Sequence, residues 1–244
     1  MTPGNAARRW ASALVCSGCL VSAASGSARA ADPQDQLGNW IGFNSTLRLD
    51  DRWSGFAQGE LRTWEMASNL QESLWRIAGH YDINPKAMLG FGYVRIDAWP
   101  FEDTTGGGRL LYENRLYEDA VYKQAWGPAA IQHRMRLEQR WLTLIGEDTT
   151  AYVNRIRYRL QATIPFDRDS TGPGSYFFNA SNEIFVNFGQ GDRFREQNRL
   201  YGAIGYQFTA ARSLQVGLMW VARQDADLLR LTIYYTHNVD LRVK

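Results

Sequence analysis

Ile131-Gln132-His133-Arg134-Met135-Arg136-Leu137-Glu138-Gln139-Arg140-Trp141, continuing to Ile145, decides the fold. Gln132, Arg134, Arg136, Glu138 and Arg140 fall on even positions, while Ile131, Met135, Leu137, Trp141 and Ile145 fall on odd ones. A period of two sends alternate side chains to opposite faces of a strand. After Gly146-Glu147-Asp148-Thr149 the pattern resumes with Arg155, Arg157, Arg159 and Gln161 on one face and Tyr152, Ile156, Tyr158, Leu160 and Ile164 on the other. Two neighbouring strands thus each carry a charged ladder and an apolar one. Adjacent arginine ladders repel unless acids or water meet them, so the charged faces need a wet or paired environment.

The same alternation runs outward in both directions. On the N-terminal side the segments are about 37–49, 53–66, 70–83, 87–99 and 109–126; on the C-terminal side they are centred on Tyr176–Phe188, Gln197–Phe208, Leu214–Trp220 and Leu229–Tyr235. Asp50-Asp51-Arg52, Asn84-Pro85-Lys86 and Gly127-Pro128 read as turns, and Pro100–Gly108, Asp167–Gly174 and Gly189–Arg193 as loops. In the fourth segment Leu89, Phe91 and Tyr93 oppose Gly90 and Gly92, and Val94 and Ile96 contradict that parity. No segment has helical periodicity, and no linker divides the chain.

Eleven strand candidates of roughly 10–17 residues exceed the 5–6 usual in soluble sheets and suit the ~9–11 residues of a spanning strand. A mean hydropathy of −0.40 looks soluble, as a membrane barrel does when its lumen residues offset its lipid-facing ones. Trp53, Trp99, Trp126, Trp141 and Trp220 lie near strand ends, where interfacial girdles form. The expected fold is all-β, a single antiparallel transmembrane up-and-down barrel of about 10–12 strands, since bacterial barrels have even counts. A soluble barrel of lipocalin type, apolar within and polar without, uses the same alternation. Taking the longer connections as extracellular puts the start of the first strand outside, unless a strand was missed or the N-terminal segment threads the lumen.

Residues 1–30 read as a secretory signal peptide: Arg8-Arg9, an apolar run from Trp10 to Val21, and the cleavage pattern Ala28-Arg29-Ala30. The barrel then occupies residues 31–244 and the destination is the cell outer membrane. Both cysteines, Cys16 and Cys19, fall in the leader, so the mature chain has no disulfide, thiol nucleophile or cysteine metal site. Three of the 27 basic residues (Arg8, Arg9, Arg29) and none of the 25 acids lie there, so the net charge of +2 becomes −1. That balance points to no nucleic-acid partner.

The motifs Gly59-Glu60-Leu61-Arg62, Leu89-Gly90-Phe91-Gly92-Tyr93, Glu113-Asn114-Arg115, Arg134-Met135-Arg136-Leu137-Glu138-Gln139-Arg140, Asn182-Glu183-Ile184-Phe185 and Gln197-Asn198-Arg199-Leu200-Tyr201 follow one another along nearly all of the mature chain. As an ordered set they resemble a Gram-negative outer-membrane β-barrel family of unknown function (domain of unknown function 2490). The resemblance implies an outer-membrane barrel and supplies no activity. The chain departs from the common pattern of ending on an aromatic residue, because nine residues follow Tyr235.

The candidate site is a lumen charge network: Glu60, Arg62, Glu72, Arg76, Glu113, Arg115, Arg134, Arg136, Glu138, Arg140, Arg155, Arg157, Arg159, Glu183 and Arg199. Lone buried charges cost several kcal/mol each, so these must pair or stay wet. They could zip the lumen shut, or line a narrow pore favouring anions. The alternative function is an outer-membrane lipid-modifying enzyme, a lipid hydrolase or acyltransferase, which would need a nucleophile, a base and an orienting group. His80 faces inward by parity, His133 outward, and His237 falls in the tail; His80 with Ser54 or Ser181 makes no motif. We expect no enzyme, catalytic residue, metal or cofactor. The expected partners are outer-membrane lipid and lipopolysaccharide, with the barrel-assembly machinery during biogenesis, and the protein is expected to be monomeric.

Overall fold

Among the described residues eleven strands form in chain order: β1 (Gly38–Arg48), β2 (Trp53–Glu65), β3 (Ser68–Asn84), β4 (Ala87–Ala98), β5 (Leu111–Trp126), β6 (Ala129–Leu144), β7 (Thr150–Pro165), β8 (Ser175–Phe188), β9 (Arg195–Thr209), β10 (Arg212–Arg223) and β11 (Asp227–Asp240). The computed structural model describes residues 36–101, 108–146, 149–167, 172–189, 195–224 and 226–242, and these contain no helix. The leader read over residues 1–30, the glycines Gly106-Gly107 and residues 190–193 of the Gly189–Arg193 loop lie outside them.

Each strand pairs with its sequence neighbours and the sheet closes on itself. An odd number of up-and-down strands leaves the last running the same way as the first. Closure is therefore parallel, from Gly38↔Arg230 to Arg48↔Asp240, while every other pairing is antiparallel. The expectation of a purely antiparallel barrel is corrected on this point. The same seam corrects the reading of His237 as tail. Residues Thr236 to Asp240 continue β11 because β1 pairs with them, with Ser45 opposite His237.

Short polar turns gather at one mouth. Asp50 Oδ1 accepts the backbone N–H of Arg52 at 2.7 Å and of Trp53 at 2.6 Å, closing β1–β2. Those amides, Trp53's first, hold its carboxyl below the usual carboxylate range. Asn84 Oδ1 does the same for Lys86 and Ala87 at 2.8 and 2.9 Å. Gly127 makes the β5–β6 turn at φ 56°, a conformation that suits glycine. The longer β7–β8 connection, residues 166–174, lies on that side too; the β4–β5 connection, residues 99–110, is the longest and shares the opposite mouth with β6–β7, β8–β9 and the start of β1.

Polarity is inverted relative to a soluble core. Isoleucines, leucines and aromatics face outward, with Trp75 and Ile77 more than three-fifths exposed and Phe91, Ile204 and Leu218 about half exposed. Outward aromatics cluster by strand end. Trp53 packs on Tyr81 (4.9 Å), His133 lies between Tyr122 and Tyr158 (6.3 and 6.2 Å), and Tyr206 lies between Tyr176 and Phe208 (4.8 and 4.9 Å). Trp141 and Tyr152 pair at 5.4 Å near the other mouth.

The interior carries two small apolar patches among its charges. Leu74, Val94, Ile96 and Tyr117 form one, and Trp40, Val221 and Leu228 the other. Val94 and Ile96 keep the parity of Gly90 and Gly92 after all; they are apolar because Tyr117 and Leu74 cover them. Glycines admit the inward rings. A Cβ on Gly92 would stand 2.5 Å from the Tyr117 ring, and one on Gly205 would stand 2.2 Å from that of Phe177.

Candidate functional site

The strands β5 to β8 build a charged wall. On β5 and β6, Arg115 and Arg140 sit directly opposite each other, a repulsive arrangement by itself. Glu113 relieves it: the carboxylate accepts from Arg115 along its own strand and from Arg140 diagonally at 2.6 and 3.2 Å. Between β6 and β7 the pairs Arg136↔Arg157 and Arg134↔Arg159 are also like-charged. Glu138 answers the first, accepting from Arg155 Nε at 2.6 Å and Arg157 Nη1 at 2.7 Å. Asp119 takes a forked bond from Arg136 at 2.7 and 2.6 Å, the geometry in which guanidinium and carboxylate match best. Arg136 also lies 3.8 Å over the Tyr117 ring.

Glu183 on β8 is in register with Arg159 on one side and Arg199 on the other. It instead accepts from Arg134 Nη2 at 2.6 Å and Arg157 Nε at 3.0 Å. On the β2–β3 side Arg62 holds both Glu60 (2.6 Å) and Glu72 (2.5 Å) and stacks 4.0 Å over Trp40. Each ion pair named here joins strands no more than two apart around the barrel, so these pairs coat the wall and do not cross the bore.

All fifteen residues picked from the sequence lie on the inner face. Eleven are buried, and Glu72, Arg76, Arg159 and Arg199 are half-buried. Asp119 joins them; the alternation of β5 had put it on that face, but not in the network. The lumen rings Trp40, Tyr117 and Phe185 were missed, although each shares the parity of the charges beside it. These sixteen residues, ten arginines and six carboxylates, carry an excess of four positive charges.

Space remains within. A cavity of about 370 Å³ opens among Arg76, Glu113, Arg140, Arg155 and Arg223 near the loop-bearing mouth. One of about 610 Å³ fills the middle, from Trp40 to Asn238. A third of about 310 Å³ surrounds His80, Asp119 and Lys123. Consecutive cavities have walls in common: Arg62, Leu74, Arg76, Arg157 and Arg199 between the first two, and Thr46, Phe56, Gln132, Arg134 and Arg159 between the last two.

Ser54 and His80 are register partners on β2 and β3 and line the same third cavity as Asp82. Among the hydrogen bonds of the described residues none joins Ser54 to His80 or His80 to a carboxylate. His80 packs instead on Phe56 at 5.8 Å. Among the described residues, Ser54 and His80 therefore do not form a hydrogen-bonded nucleophile–base pair.

These observations define a closed eleven-stranded barrel with a charged interior and an apolar exterior. The family model described as a protein of unknown function (DUF2490) matches residues 37–230, from the edge of β1 into β11, and the chain belongs to that family. Neither the curated proteins nor the solved structures compared with the chain provide a match.

Proposed function

We propose that this protein is a non-enzymatic outer-membrane β-barrel whose lumen is a narrow passage for small anions. The observation that carries the reading is the arginine excess at walls shared by consecutive cavities. Ion pairs that coat the wall leave room along the axis, whereas a zipped lumen requires pairs across it. The outward apolar belt and the aromatic clusters near the strand ends support lipid and lipopolysaccharide as its surroundings. The lengths of the strands, 11 to 17 residues, are ample for a spanning sheet. A lipocalin-like soluble carrier needs the opposite polarity, an apolar pocket and a wet exterior. A protein of this kind is inserted by the barrel-assembly machinery and works as a monomer.

Planar bilayers carrying the purified mature chain provide the test. Under a potassium chloride gradient the reversal potential should lie on the anion side of zero, because fixed positive charge in a narrow pore admits anions preferentially. Arg157→Gln with Arg199→Gln should move it toward zero. Silence at all voltages, or a preference for potassium, would remove the passage.

A further inference from the structure

Three of the waist arginines are left over when the carboxylates have been shared out. Glu183 faces Arg159 and Arg199 in register yet is taken by Arg134 and Arg157. Arg159 and Arg76 join no ion pair among the described residues, and the Nε of each is buried without a hydrogen-bond partner. Arg199 is met by a neutral amide, that of Gln197, at 2.7 and 2.9 Å once the amide oxygen is turned toward it, and by the rings of Phe185 (4.6 Å) and Trp40 (4.9 Å). Stacking uses none of the in-plane donors, and Nη1 lies outside the Gln197 contact.

All three line the central cavity. Elsewhere around that cavity two amides are half used. Asn179 donates through Nδ2 to Gln215 at 2.9 Å while its Oδ1 has no partner, and Gln58 donates to Glu60 at 3.3 Å while its Oε1 has none. Unpaired cations together with unpaired acceptor oxygens describe a ligand that is anionic in one part and a hydrogen-bond donor in another. The volume of about 610 Å³ lies within the ~300–1,000 Å³ of small-molecule sites.

We infer that the central cavity is a binding site for a small hydroxylated oxyanion, a sugar carboxylate or sugar phosphate, with Arg76, Arg159 and Arg199 on its charge and Gln58 and Asn179 on its hydroxyls. The inference rests on the reading of the lumen as a wet passage and adds the class of solute. Three half-buried guanidiniums without carboxylates repel one another, and an anion between them offsets that repulsion. Arginine matches planar carboxylate and phosphate oxygens in forked fashion, where lysine offers only a point charge.

Isothermal titration of the micelle-solubilised barrel tests it, with gluconate, glucose 6-phosphate and glucose as the probes. Saturable heat with gluconate or glucose 6-phosphate, and none with glucose, is the expected result; the two anions tell carboxylate from phosphate. Arg76→Gln and Arg159→Gln should each weaken that binding roughly tenfold or more, the worth of one charge-assisted hydrogen bond. Neither should lower the unfolding midpoint, which separates ligand-binding arginines from structural ones. No saturable heat with either anion, equal heat with glucose, or unaltered affinity in both variants would overturn the site. Chloride conductance without binding sinks the site and spares the passage; binding without conductance does the reverse.

Discussion

Glu138→Gln should destabilise the folded barrel by about 3–5 kcal/mol, the usual cost of leaving buried charge without its counter-ion. Glu138 is 1% exposed. It accepts from Arg155 and Arg157, and Arg136 stands 4.0 Å away. The substitution keeps the size and shape of the side chain, so no cavity opens and the loss is electrostatic. Three guanidiniums would then crowd one neutral amide. Glu72→Gln is the comparison. Its partner Arg62 keeps Glu60, and the Glu72 side chain is 19% exposed, so that change should cost about 0–1 kcal/mol, the range of partly solvated pairs. Urea titration of the barrel in micelles, followed by tryptophan fluorescence, measures both. Equal effects from the two would mean that water or mobile ions already screen the Glu138 cluster, and the waist would not be the tight network described.

Leu218→Arg probes the other face. Leu218 sits midway along β10, opposite Leu231, with about half its surface outward. Against acyl chains a midplane arginine costs about 2–4 kcal/mol, falling to about 0–1 near the interfaces. On a barrel bathed in water the same change would stay within about 0.5 kcal/mol. Trp126→Arg, at a site 80% exposed beside the β5–β6 turn, supplies the interfacial control. Folding into lipid vesicles followed by urea titration should rank the two changes in that order. A barrel that takes both without loss would not be embedded in lipid at these positions.

Alternation alone made much of this molecule legible. Eleven segments were readable as strands, and each charged ladder lies inside. The reason is physical: a strand has only two faces, so one register mark such as Arg134-Arg136-Glu138-Arg140 orients every neighbour. The closure was harder to read. Eleven candidates looked like a miscount, because parity arguments act within a strand and say nothing about the seam between first and last. His237 was lost for the same reason, since after Tyr235 the apolar alternation fades and only pairing with β1 reveals that the strand continues. Val94 and Ile96 misled because a charged lumen was taken to be charged throughout, whereas Tyr117 and Leu74 supply an inner apolar patch. Which arginine meets which carboxylate was beyond reach. Glu183 lies in register with two arginines and serves two others, an outcome of side-chain reach that no spacing encodes.

The parallel seam separates the start of the first strand from the end of the last: β1 begins at one rim and β11 finishes at the other. In a barrel that spans a bilayer as proposed, those two strand termini face different compartments. A protease added to intact cells should then trim an epitope placed at one end and spare its counterpart at the other. No short peptide could splice the ends together to make a circular permutant, because it would have to travel the full height of the wall. In an even-stranded barrel, whose first and last strands start and finish at one rim, the protease would reach both epitopes or neither, and a short peptide could join the ends.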